Sequence, residues 1–258
     1  MKYYSRFSTY IFHILVQCSL CIFPLSFSLI PVRVAAQSSA TGGTFTPPPP
    51  PVVGEPGGRG QGGGSRSPEC ERYADVTALV PTVQVGDRTF QWGLTTRSHP
   101  TVWLSAPAGL ADAVPIEFTL WSEDPQPIYR TLLTSTATAP GAFRVTFPED
   151  TPALSTGTVY HWTVSIFCNP ETPDVPVRVD AYIQRTELSI PQETSDVLQT
   201  SAAYARGGVW YDALSLLGEQ YGESGDEAIA AAWTDLLQQV NLHQLPNRPI
   251  GACCQTSP

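Results

Sequence analysis

Six cysteines and four histidines are the residues of this 258-residue chain best suited to hold a metal, carry electrons or move a proton. Cys18 and Cys21 have the spacing of a redox or zinc pair. They sit inside an apolar amino-terminal stretch that reads as an export signal, so they leave with it. Cys70, Cys168, Cys253 and Cys254 remain, and an oxidising compartment allows them three complete pairings. A Cys70–Cys168 bond is expected, because it ties the approach to the first strand to the end of the longest one. Closing so long a loop is worth about 4–5 kcal/mol on the chain-entropy account. Three fates stay open for the adjacent Cys253 and Cys254: free thiols, a bond to each other, or a bond to another molecule. No paired cysteine or histidine spacing survives for zinc, and no cofactor is expected.

His99 falls in a loop, His161 on a strand and His243 near the end of the last helix. An acyl-transfer site would need a serine and an acid beside one of them. The chain has no Gly-x-Ser-x-Gly elbow, no His-Glu-x-x-His and no calcium-loop pattern. Glu123-Asp124 and Glu149-Asp150 adjoin prolines and read as solvated turn acids. A non-enzymatic protein is therefore expected. The 23 acids outnumber 14 bases, for a formal charge of -9, and lysine is absent beyond the first 36 residues. Such a surface repels a phosphate backbone, which argues against nucleic acid. It also excludes a phosphate-loop or Schiff-base lysine.

Aromatic residues are the remaining candidates. Trp103 alternates against Val102 and Leu104, and Trp121 points away from Ile116, Phe118 and Leu120. If the aliphatics face a core, both tryptophans lie outside, ready to stack on a sugar ring or take a partner. The competing expectation is that the carboxy-terminal helices cover them. Trp210 and Tyr211 on those helices complete the candidate ligand or partner surface.

The elements that position these residues follow from composition and period. Lys2 and Arg6, an apolar run over 10–30 and Val34-Ala35-Ala36 before Gln37 make residues 1–36 a signal peptide. Pro24, His13 and a serine-rich second half weaken that run as a membrane span, so none is expected after cleavage. Residues 37–68 read as a disordered linker, with a polyproline rod at 47–51 and a flexible glycine-rich continuation. Residues 69–190 alternate with period two over short runs at 76–80, 89–94, 101–106, 116–121, 128–133, 143–147, 160–168 and 177–184. Such runs without intervening helices predict an antiparallel β-sandwich. In the longest run Tyr160, Trp162, Val164, Ile166 and Cys168 share the core face, leaving His161, Thr163 and Ser165 on a wet one. From 191 to 245 the period turns helical, giving a small three-helix module. Thr194 or Ser195 caps its first helix, Gly207 and Gly208 end it, and Asp226 starts the third. Residues 246–258 read as a disordered tail.

Leu154-x-x-Gly157-x-x-Tyr160-x-Trp162 resembles the tyrosine corner of immunoglobulin-like and fibronectin type III domains. There the tyrosine hydroxyl bonds to backbone upstream. Tyr204, Gly208, Ala213 and Leu217 are similar to part of one tetratricopeptide repeat. A wider set of segments resembles the bacterial family catalogued as domain of unknown function 928, met mainly in cyanobacteria. The set opens with the glycine-rich run at 58–66, Leu79-Val80-Pro81 and His99-Pro100-Thr101-x-Trp103. Tyr160-x-Trp162 leading to Cys168, Ile183-x-Arg185 and Gly208-x-Trp210-Tyr211-Asp212-Ala213-Leu214 complete it. The resemblance implies an exported protein and carries over no functional residues. The leading expectation is an extracytoplasmic protein, periplasmic or secreted, that binds a protein partner in the envelope. A carbohydrate-binding module acting on a glycan through Trp103 and Trp121 is the alternative, and an enzyme with an unrecognised site comes third.

Overall fold

Alternation in the central runs builds the core directly. The computed structural model describes residues 43–50, 68–123, 126–169, 175–188, 196–244 and 248–256. The expected signal peptide, most of the expected linker, and Thr194 and Ser195 lie outside them. Strands β5 (Pro115–Trp121) and β8 (Val159–Ile166) pair antiparallel, setting Ile116, Phe118 and Leu120 opposite Ile166, Val164 and Trp162. All six side chains are fully buried. The long sheet continues with β6 (Pro127–Ser135), β9 (Val177–Arg185), β3 (Arg88–Thr95), β2 (Thr82–Val85) and β11 (Cys254–Thr256), in the order β11-β6-β5-β8-β9-β3-β2. Facing it is a short sheet of β1 (Thr77–Ala78), β4 (Thr101–Ala106), β7 (Gly141–Thr146) and β10 (Pro249–Ala252), in the order β1-β4-β7-β10. The short sheet adds Val102, Leu104, Phe143 and Val145 to the core. Just past β7, Phe147 tilts against Phe118 with ring centroids 4.7 Å apart.

The architecture is the expected β-sandwich followed by a helical module, with two departures from a purely antiparallel arrangement. Strands β3 and β9, and strands β7 and β10, pair in parallel. Both pairs join segments distant in sequence, and only long connections permit parallel neighbours. The outer face of β8 also differs from expectation. Thr163 and Ser165 are buried, at 6% and 2% exposed, between their cross-strand neighbours on β5 and β9. Arg178, for one, reaches across to Ser165. Near the entry to β8, the backbone N–H of Ser155 donates to the Tyr160 hydroxyl at 3.0 Å.

The expected tail disorder is corrected. Residues 249–252 extend the short sheet, residues 254–256 extend the long one, and the chain crosses between sheets at Cys253. Cys253 is fully buried, and its carbonyl accepts from the Thr136 N–H at 2.8 Å. So short a segment has no period of its own. It is ordered by the open hydrogen-bonding edges of β6 and β7, which it covers. Cys253 bonds to Cys254, and the expected Cys70–Cys168 bond is present, joining helix α1 (Pro68–Glu71) to the end of β8.

Helix α2 (Val197–Arg206) starts at Asp196, whose carboxylate accepts from the backbone N–H groups of Leu198 and Gln199. Helix α3 (Trp210–Ser224) stops at Gly225 in a left-handed conformation, and Asp226 caps α4 (Glu227–Gln238). These helices share one hydrophobic core with both sheets. The change of period near residue 190 therefore marks a change of element without a break in packing.

Asp212 in the first turn of α3 fastens the helix to the end of β3. Only 1% exposed, it accepts from the Thr95 hydroxyl at 2.6 Å, the Thr96 N–H at 2.9 Å and the Thr96 hydroxyl. Asp212→Asn keeps the shape but replaces an acceptor oxygen with an amide donor facing donors. It is expected to cost about 1–3 kcal/mol in urea unfolding of the oxidised protein. An unchanged midpoint would show the clamp to be dispensable.

Candidate functional site

Three of the four aromatic residues named as a candidate surface are interior, in line with the competing expectation that the carboxy-terminal helices cover the sandwich. Trp103 is 1% exposed, Trp210 0% and Tyr211 2%. Trp103 does lie on the outer side of its sheet, and there the helices cover it. Its indole N–H donates to the Ser215 hydroxyl at 3.3 Å, and its rings meet Trp233 edge-on at 5.2 Å. Gly218 makes that approach possible: a Cβ there would stand 2.5 Å from Trp103 and 2.6 Å from Trp233. Trp210 donates to the Leu79 carbonyl at 2.8 Å. The Tyr211 hydroxyl accepts from the Trp162 indole at 2.9 Å and donates to the Tyr182 carbonyl at 3.1 Å. Complete burial pushes this phenol's pKa well above the ordinary tyrosine value, so it remains a neutral donor.

Trp121 alone stays half-buried. It begins a cross-strand row on the outer face of the long sheet, in which Trp121, His161, Tyr182 and Trp92 stand in register on β5, β8, β9 and β3. His161 stacks on Tyr182 at 4.8 Å, and its Nε2 lies 2.7 Å from the Asp180 carboxylate. The indole N–H groups of Trp92 and Trp121 are buried without hydrogen-bond partners. His99 braces a loop: its Nε2 lies 2.8 Å from the Thr151 carbonyl and its Nδ1 3.2 Å from the Ser98 hydroxyl. A hydroxyl donating to Nδ1 fits the tautomer in which Nε2 donates to the carbonyl. Among the described residues no three His, Cys, Asp or Glu side chains are grouped to hold a metal ion.

A second arrangement falls within the expected linker. Residues 43–50 lie across the carboxy-terminal ends of α2 and α4. Near the end of α2 the Ala205 carbonyl, which already accepts from the Gly208 N–H at 3.0 Å, also accepts from the Thr46 N–H at 3.0 Å. Just past α4, the Gln239 side chain takes both polarities of the segment. Its Oε1 accepts from the Phe45 N–H at 2.6 Å, and its Nε2 donates to the Gly43 carbonyl at 3.2 Å. The Phe45 ring, 7% exposed, meets Trp210 edge-on at 5.0 Å. Two glycines permit the close approach. A Cβ on Gly43 would overlap the Ala202 backbone at 2.5 Å, and one on Gly208 would stand 2.9 Å from the Thr46 carbonyl. Gly208 also adopts a φ of 75° that favours glycine. The sequence signal missed was Phe45 itself, the one aromatic residue between 37 and 68.

The backbone of residues 43–46 is thus held by three hydrogen bonds, and its one aromatic ring by Trp210. Among the described residues no helix is long and apolar enough to cross a membrane. A family model described as Domain of Unknown Function (DUF928) matches residues 61–250, well over half of the chain. No curated protein matches it.

Proposed function

We propose, on the premise that the chain belongs to the DUF928 family, that it is an exported, non-enzymatic envelope protein acting as a protein-binding adaptor. The observation that carries this reading is the groove of α2, α3 and α4 seating residues 43–50 as an extended segment. Backbone reading of that kind is how adaptor surfaces hold peptides. A disulfide spanning 98 residues fits an oxidising, extracytoplasmic compartment. The acidic, lysine-free composition beyond residue 36 argues against a nucleic-acid partner. The glycan reading loses Trp103, which the helices cover, and keeps only Trp121 in its aromatic row.

A photo-crosslinking residue placed at exposed Arg206, beside the groove, tests the adaptor role in the producing cell. A discrete adduct with one envelope protein is expected there, and none from the same probe at Val85, which is 43% exposed on an outer strand of the long sheet. No adduct, or equal labelling at both positions, overturns the reading. Glycan-array binding lost in Trp121→Ala would replace it with the sugar-binding one.

A further inference from the structure

We infer that the groove's ligand is an extended peptide carrying an aromatic residue two positions before a proline run, and that residues 43–50 are its built-in competitor. This inference rests on the adaptor reading and names its ligand class and its regulation.

The contacts divide into general and selective ones. The hydrogen bonds with Ala205 and Gln239 reach backbone groups at Gly43, Phe45 and Thr46. An extended chain offers these provided glycine stands at the first of them, where a Cβ would overlap the Ala202 backbone. Selectivity comes from the ring on Trp210 and from the residues after it. Pro48 lies where a side chain on Gly208 would stand, so the groove floor is shaped to a proline at that place. Prolines suit the position for two reasons. Their fixed φ leaves little conformational freedom to lose on binding, and they bring no N–H groups that would need partners. The seated sequence Gly43-Thr44-Phe45-Thr46-Pro47-Pro48-Pro49-Pro50 meets both requirements.

Tethering sets the regulation. The segment joins the body at Pro68 through residues 51–67, seven of which are glycine. A segment of the same chain is held near its site at an effective concentration on the order of millimolar. A free peptide of equal intrinsic affinity must reach that concentration to displace it. A physiological partner must therefore bind more tightly, or present several copies of the motif.

Fluorescence anisotropy with a labelled synthetic peptide of residues 43–50 tests this on the full exported chain. The Phe45→Ala variant, with its own anchor removed, should bind the peptide saturably. The unmodified chain should bind at least about tenfold more weakly. A peptide with alanine in place of the phenylalanine should bind neither. Thr46→Pro serves as a second opened form, since it deletes the N–H donated to Ala205 at an exposed position and leaves the core intact. Absence of binding to both opened variants, or equal affinity for opened and unmodified chains, overturns the inference. Failure of the adaptor reading is separate: the peptide would bind as described while no partner crosslinks at Arg206.

Discussion

Trp103→Ala should lower the unfolding free energy by about 3–5 kcal/mol, the range for deleting a large buried aromatic side chain. The residue stands between β4 and the helices. Its removal empties the space against Trp233, deletes the Ser215 hydrogen bond and leaves Gly218 facing a void. The nearby arginines soften this little. Arg144 and Arg97 reach Glu219 at 3.5 and 3.9 Å, but those pairs are partly exposed and screened. Urea unfolding followed by tryptophan fluorescence and by far-ultraviolet circular dichroism provides the measurement. Both signals should move together, because the helices and sheets share one core. An unchanged midpoint, with a carbohydrate ligand lost instead, would return Trp103 to the role of a binding platform.

The second large effect belongs to the disulfide between Cys70 and Cys168. Replacing both cysteines by serine should cost about 4–5 kcal/mol, since the bond closes a loop of 98 residues in the unfolded chain. The Cys253–Cys254 bond encloses no intervening residue, so it constrains the unfolded chain hardly at all. Serines there act mainly by placing a hydroxyl in the apolar site of Cys253, at about 1–3 kcal/mol. Denaturant midpoints of the two double variants, compared with the oxidised parent, should fall in that order. Equal losses would mean that the strands following residue 248 carry more of the fold than the long loop does.

Much of this protein is legible from local pattern. Period-two alternation placed β4 at its observed bounds and assigned Ile116, Phe118 and Leu120 to the core. The helical period found α3 and α4, and Asp226 capped the latter as its spacing requires. Ladder and helix patterns work at short range because a strand's or helix's own side chains decide which face it buries. The disulfide at Cys70 and Cys168 was also legible, because it ties the approach to the first strand to the end of the longest one.

What eluded the sequence were features that depend on a partner segment elsewhere in the chain. β10 and β11 have no periodicity; they are ordered by the open edges of β7 and β6. Phe45 sits in a run of polar, glycine and proline residues, and only Trp210, more than 160 positions later, gives it a place to bury. The exposed or hidden state of Trp103 could not be read from alternation, which separates the two faces of a sheet but does not say what covers the outer one. Backbone period is a property of neighbours in sequence. Docking is a property of neighbours in space, and Phe45 and Thr46 find their places only where Ala205, Gln239 and Trp210 come together.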